Sequence, residues 1–147
     1  MMSLQYLTVD NNNDLSSLDA LNGYQRLRGL SASNCAIDHL PTNLSTLTTI
    51  DMSKNKLTSL DGLDTLIWFD CKSLVFRNNS ITTIPTTMRI VRNINTMDLS
   101  NNLLTELPIW LFNANLNMIN VLRNGFDAKE VEWIRGLYRS SNTIVYV

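Results

Sequence analysis

The chain has 147 residues, enough for one domain with a substantial core. Only 17% of the residues are charged and the net charge is −1, so no electrostatic drive toward nucleic acid is expected. No run of eighteen apolar residues occurs, so no membrane insertion is expected, and Met1 to Asp10 lacks the basic-then-apolar order of a signal peptide.

Read from its start, the chain repeats itself. Leu4, Leu7, Val9 and Asn12 open the series, with Leu15 arriving one residue late. Leu27, Leu30, Ala32, Cys35, Ile37 and Leu40 follow, then Leu47, Ile50, Met52, Asn55, Leu57 and Leu60. The fourth rank is Cys71, Leu74, Phe76, Asn79, Ile81 and Ile84. The fifth is Ile94, Met97, Leu99, Asn102, Leu104 and Leu107, and the sixth Leu116, Ile119, Val121, Asn124 and Phe126. Ranks thus begin near residues 4, 27, 47, 71, 94 and 116, and their ninth places lie 23, 20, 24, 23 and 22 residues apart. A unit of this size cannot bury its own apolar face, so neighbours must stack.

The motif L-x-x-L-x-L-x-x-N-x-L, with Cys35 in one Asn place and Cys71 in one leading Leu place, resembles the leucine-rich repeat family over almost the whole chain. The resemblance implies an α/β solenoid with a parallel sheet on its concave face and short helical or irregular segments on the convex side. The residues agree with it. Leu-x-Leu alternation points two apolar side chains inward from a short strand and leaves their neighbours outward. The turn that follows strands backbone groups without partners, and an Asn side chain has the donors and acceptor to satisfy them.

The return segments differ in kind, so no subfamily is assigned. Pro41, Pro85 and Pro108 stand just after the apolar residue that closes each turn. Between Asp61 and Cys71, the residues Leu63, Leu66 and Phe69 offer a second register out of step with the first. Trp68 and Trp110 are expected to fill the convex edge of the core. Residues 127–147 read as a C-terminal cap on a single domain spanning residues 1–147. Asp127 and Glu130 have the spacing of a capping box. A helix over Ala128 to Arg139 would turn Val131, Ile134, Leu137 and Tyr138 inward, with Glu132 and Arg135 paired on the wet face and Trp133 part of the cap. Ser140 to Asn142 reads as a turn, and Thr143 to Val147 as a final parallel strand. The first rank has no such device. A larger protein, an end-to-end dimer through the N-terminal edge, or a tolerated open end would each account for it.

No catalytic constellation is visible, so no enzyme activity, cofactor or metal is expected. His39 reads as a solvent-facing turn residue lacking the partners that a triad or metal site needs. Cys35 and Cys71 are two ranks apart, about 10 Å along the stack, too far for a disulfide. Two buried reduced thiols favour a cytoplasmic location, against which stand the sequons at Asn43 and Asn78, so a secreted or extracellular site is the alternative.

Function is therefore expected as protein–protein interaction on the concave face, the usual binding surface of the family that the motif resembles. Its candidate contact residues are Tyr6, Arg28, Asp51, Lys54, Lys72, Val75, Arg77, Asp98, Met118, Asn120, Leu122 and Arg123. Met118 and Leu122 are apolar in places that should face water, and Tyr6 and the arginines are frequent hot-spot types. Asp51 and Asp98 share one outward place and read as solvated acids bordering Lys54, Lys72 and Arg77. The partner's identity is not readable from the sequence. The alternative is an assembly role at the N-terminal edge, or a regulatory fragment.

Overall fold

Each Leu-x-Leu alternation becomes a strand of three residues. The computed structural model describes residues 4–44, 46–65, 71–86 and 94–147. The strands are β1 (Tyr6–Thr8), β2 (Gly29–Ser31), β3 (Thr49–Asp51), β4 (Ser73–Val75), β5 (Thr96–Asp98), β6 (Met118–Asn120) and β7 (Ile144–Tyr146). They form one parallel sheet in chain order, each strand bonded to the next. A parallel neighbour requires a long return, and the twenty-odd residues of each rank supply it.

The register places Leu7, Leu30, Ile50, Leu74, Met97, Ile119 and Val145 in a single file. The middle five of these are buried, and Leu7 and Val145 at the two ends are half-buried against the core. Behind them stand parallel files from the other apolar places, including Leu27, Leu47 and Ile94, then Met52, Phe76 and Leu99, then Ile37, Leu57 and Ile81. Burying side chains of this size contributes about 1.5–3 kcal/mol each. Phe76 is the largest of the fully buried side chains.

The late Leu15 fits without breaking the stack. Ala36 N donates to Leu15 O at 2.9 Å, the same bond that Lys56 N makes to Ile37 O at 2.8 Å and Ser80 N makes to Leu57 O at 2.9 Å. Leu15 is therefore the counterpart of Ile37, and the extra residue is taken up in the turn, where Leu15 N bonds Asn12 O at 2.9 Å. The returns include 3-10 turns at Asp19–Leu21, Leu63–Thr65 and Ile109–Asn113. Leu63 is buried in its turn and β4 follows at the first of the two registers. Leu66, Trp68 and Phe69 lie outside the described residues. Trp110 is partly buried against the core, with Nε1 donating to Pro85 O at 2.7 Å.

The last rank ends in α1 (Ala128–Tyr138) followed by β7, the parallel strand expected from Thr143 to Val147. Asp127 caps the helix, its Oδ1 accepting Glu130 N at 2.8 Å. The other half of the expected box is not made. Glu130 Oε1 instead accepts Leu107 N at 3.4 Å, because the backbone of the preceding rank's turn offers a fixed donor. Ile134 and Tyr138 are buried, Val131 is half-buried and Leu137 is exposed, a narrower inward face than expected. Tyr138 and Trp133 pack on Phe112 with ring centroids 5.0 and 5.1 Å apart. The expected Glu132–Arg135 pair is replaced by Arg135 Nη2 donating to Val147 O at 3.1 Å. The loss is small, since such a surface pair is worth only a few tenths of a kcal/mol.

Candidate binding face

The sheet's outward side is held in shape by two columns of turn residues. In the first, each ninth-place Asn closes its own turn and the turn of the rank before. Asn102 Nδ2 donates to Leu99 O and Phe76 O, both at 3.0 Å, while its Oδ1 accepts Ile81 N at 3.0 Å. Asn55, Asn79 and Asn124 repeat this. Cys35 imitates it with weaker chemistry: its thiol donates to Val9 O at 3.3 Å and has no carbonyl oxygen for Leu15 N.

The second column was not anticipated from the sequence. The residue just before each ninth place has positive φ: Asn11, Asn34, Lys54, Asn78, Asn101 and Arg123, at 54–61°. Asn tolerates this left-handed conformation better than other side-chain-bearing residues. Four of the six positions are Asn, and the signal was present as the Asn-Asn pairs at 11–12, 78–79 and 101–102. Lys54 and Arg123 therefore sit on the turns leaving the sheet, not on the strands.

On the strands, the first outward file runs Tyr6, Gly29, Thr49, Ser73, Thr96, Met118 and Ile144, and the second Thr8, Ser31, Asp51, Val75, Asp98, Asn120 and Tyr146. Arg28 and Lys72 immediately precede β2 and β4, and Arg77 and Leu122 lie two residues beyond β4 and β6. Tyr6, Asp51 and Val75 share a groove of about 350 Å³ over the first four strands. Asp98, Met118, Asn120 and Leu122 lie beyond it, toward the C-terminal ranks. There Leu122, Ile144 and Tyr146 are 43–56% exposed, an apolar group that includes two residues the sequence reading did not single out.

The acids on this face do not pair with the cations. Asp51 Oδ1 accepts Ser53 Oγ at 2.6 Å and Ser53 N at 2.9 Å, and Asp98 does the same with Ser100 at 2.6 and 2.9 Å. Asp10 reaches across to the next rank, taking Ser31 Oγ at 2.8 Å and Ser33 N at 2.7 Å. These carboxylates brace the turns, because a serine of the same or the next rank is a closer and more fixed donor than a long lysine. Among the described residues, no Lys or Arg forms an ion pair with a carboxylate.

His39 departs from its expected isolation. Nε2 meets Asp19 Oδ1 at 3.0 Å and Nδ1 meets Asp38 Oδ1 at 2.5 Å. Satisfying two carboxylates requires both ring nitrogens to donate, so the hydrogen bonds to Asp19 and then Asp38 raise its pKa. The hydrogen bond from His39 lowers that of Asp19 in return. The partners were missed because Asp19 is twenty residues away, in the turn of the preceding rank.

Both thiols are free. Cys71 is buried as expected, and burial pushes its pKa up to about 12. Cys35 is only half-buried, since its place faces the turn and not the core. Among the described residues, no three His, Cys, Asp or Glu side chains are placed to hold a metal ion. Among the same residues, no helix is long and apolar enough to cross a membrane.

No family model and no curated protein matches the sequence. Among solved structures, the chain is similar to a leucine-rich repeat protein of Leptospira interrogans, with a TM-score of 0.84 and 25% identity over 98% of this chain. The chain spans 37% of that protein's length.

Proposed function

We propose, from the leucine-rich repeat solenoid fold that the chain adopts, that it is a non-catalytic interaction module that holds a protein partner against its concave sheet. One observation carries the reading. The outward files form a continuous face whose small hydroxyl-bearing centre lies between exposed large side chains, Tyr6 at 67% at one end and Ile144 at 56% and Tyr146 at 48% at the other. Exposed aromatic and aliphatic anchors bordering a polar field are the composition of a protein contact. The two free thiols suit a reducing compartment, which is part of the same proposal.

Immobilised parent protein is compared with Thr49→Arg/Thr96→Arg, which fills the middle of the sheet, and with Thr105→Arg, which lies off it. Proteins captured from a lysate should be lost from the double variant and kept by Thr105→Arg. A captured set indifferent to the sheet variant would reject the reading.

A second reading, pairing along the β1 edge, is favoured by burial. Leu7, Val9 and Leu15 are half-buried where their counterparts Leu30, Ala32 and Ile37 are fully buried. Light scattering over a concentration series tests it. A dimer that dissociates on dilution and disappears in Thr8→Lys supports edge pairing, and a constant mass near 16.7 kDa rejects it.

A further inference from the structure

The groove over the first four strands has a charge arrangement that the rest of the face lacks. Its floor is Gly29 with the short polar side chains of Ser31, Thr49 and Ser73. The ring of Tyr6 lies across the place that a side chain at residue 29 would fill. A Cβ there would come within 2.7 Å of Tyr6 Cδ1. The ring is thus a platform at the groove's N-terminal end.

Four cations stand around this floor. Arg28 and Lys72 occupy equivalent places on one side, two ranks apart, which is about 10 Å along the stack. Lys54 and Arg77 lie on the other side, past the ends of β3 and β4. All four are exposed, and none has a carboxylate partner among the described residues. The carboxylates of Asp10 and Asp51 are engaged by the serines of the turns they brace. In the fifth and sixth ranks the places of Arg28 and Lys72 hold Asn95 and Asn117, those of Arg77 hold Ser100 and Leu122, and those of Lys54 hold Asn101 and Arg123. The charge is therefore concentrated at the groove, and Arg123 stands alone beyond it. From Lys72 to Arg77 is five residues, or about 16 Å at the rise of a strand. A channel of that width holds one extended chain, whose alternating side chains reach both rims.

We propose that this groove binds an extended peptide segment rich in Asp and Glu, running along the stack with its carboxylates on the two cationic rims and one residue on the Tyr6 ring. The inference rests on the sheet being the binding face and names the chemistry of the partner. A single-stranded nucleic acid fits less well, because its bases call for successive aromatic platforms and the residues lining the groove include one aromatic ring, that of Tyr6.

Fluorescence anisotropy with fluorescein-labelled octaglutamate tests it, with octaglutamine, octalysine and a thymidine octamer of single-stranded DNA as comparisons. Octaglutamate should bind, more tightly at low salt, while octaglutamine and octalysine should not. Lys72→Glu/Arg77→Glu should weaken octaglutamate at least about tenfold, from the loss and reversal of two exposed charge contacts. Lys129→Glu, on α1 and off the sheet, should change it by less than about twofold. Circular dichroism should be unchanged in both variants, since the altered side chains are exposed. The inference is overturned if octaglutamate binds no better than octaglutamine, if the double reversal has no effect, or if the thymidine octamer binds more tightly. Octaglutamate failing while lysate capture still responds to Thr49→Arg/Thr96→Arg would reject the acidic preference and leave the concave reading standing.

Discussion

Replacing Asn102 by Ala should be among the most damaging single changes off the hydrophobic core. The side chain is 5% exposed. Its removal orphans Ile81 N, while Phe76 O and Leu99 O each lose one of two donors and keep Asn79 and Asn124 respectively. Leaving Ile81 N unsatisfied costs about 1–3 kcal/mol, and the two lost carbonyl bonds add about 0.5 kcal/mol or more each, so the low end is about 2 kcal/mol. That is a large share of the roughly 5–15 kcal/mol by which a domain is stable. The ladder contains its own controls. Cys35→Ala removes only weak thiol bonds from a half-buried place, and should cost about 1 kcal/mol or less. Asn12→Ala acts at an exposed place where water replaces the side chain, and should cost about as little. Urea unfolding followed by tryptophan fluorescence, with the slopes compared to check two-state behaviour, gives the three values. If Asn102→Ala costs no more than Asn12→Ala, the claim that these asparagines satisfy buried backbone is wrong.

Four further outcomes are expected. Lys54→Asn should raise stability by about 0.5–1 kcal/mol, because Lys54 holds φ at 54° where four other ranks use Asn; thermal unfolding would show it. Gly29→Ala should shift the Tyr6 ring resonances in NMR spectra with a small loss of stability, since the 2.7 Å clash is with an exposed ring that can swing away. The His39 clamp should stabilise the fold most below the ordinary imidazole value of 6.5 and above the ordinary Asp value of 3.8. A raised histidine pKa means that its contribution is full below the unfolded value and lost as pH rises through the folded one. A lowered Asp19 pKa means a contribution lost only as pH falls through that lowered value. Tm measured against pH for the parent and His39→Gln should therefore converge on the alkaline side, and curves that converge on the acid side of the histidine transition would contradict it. With a thiol-reactive dye, native protein should label at Cys35 well before the buried, protonated Cys71.

The sequence revealed most where a requirement recurs. The inward file from Leu30 to Ile119 was legible because alternation with one residue between apolar places has a single physical meaning, and six recurrences fixed its register. The Asn ladder was legible for the same reason. What the sequence concealed were choices among donors and acceptors close in space but distant in the chain. Asp51 and Asp98 were correctly placed on the outward face, yet their preference for Ser53 and Ser100 over Lys54 and Arg77 depends on the turn geometry. Asp19 reaching His39 and Glu130 reaching Leu107 both cross a rank, and nothing local announces either. Of the candidate face, membership followed from alternation. The grouping of Arg28, Lys54, Lys72 and Arg77 around one groove required knowing how far each stands from the strands.

The ladder also has a direction. Asn55, Asn79, Asn102 and Asn124 each accept an N–H from the rank before them and donate to that rank's carbonyl as well as to their own. A turn is therefore completed by residues made some twenty positions later. During synthesis from the N-terminus, every rank should wait, partly open, for its successor to emerge. A chain cut back from its C-terminal side should loosen the rank before the cut, whereas one cut back from the other side should leave each surviving turn with the asparagine that closes it.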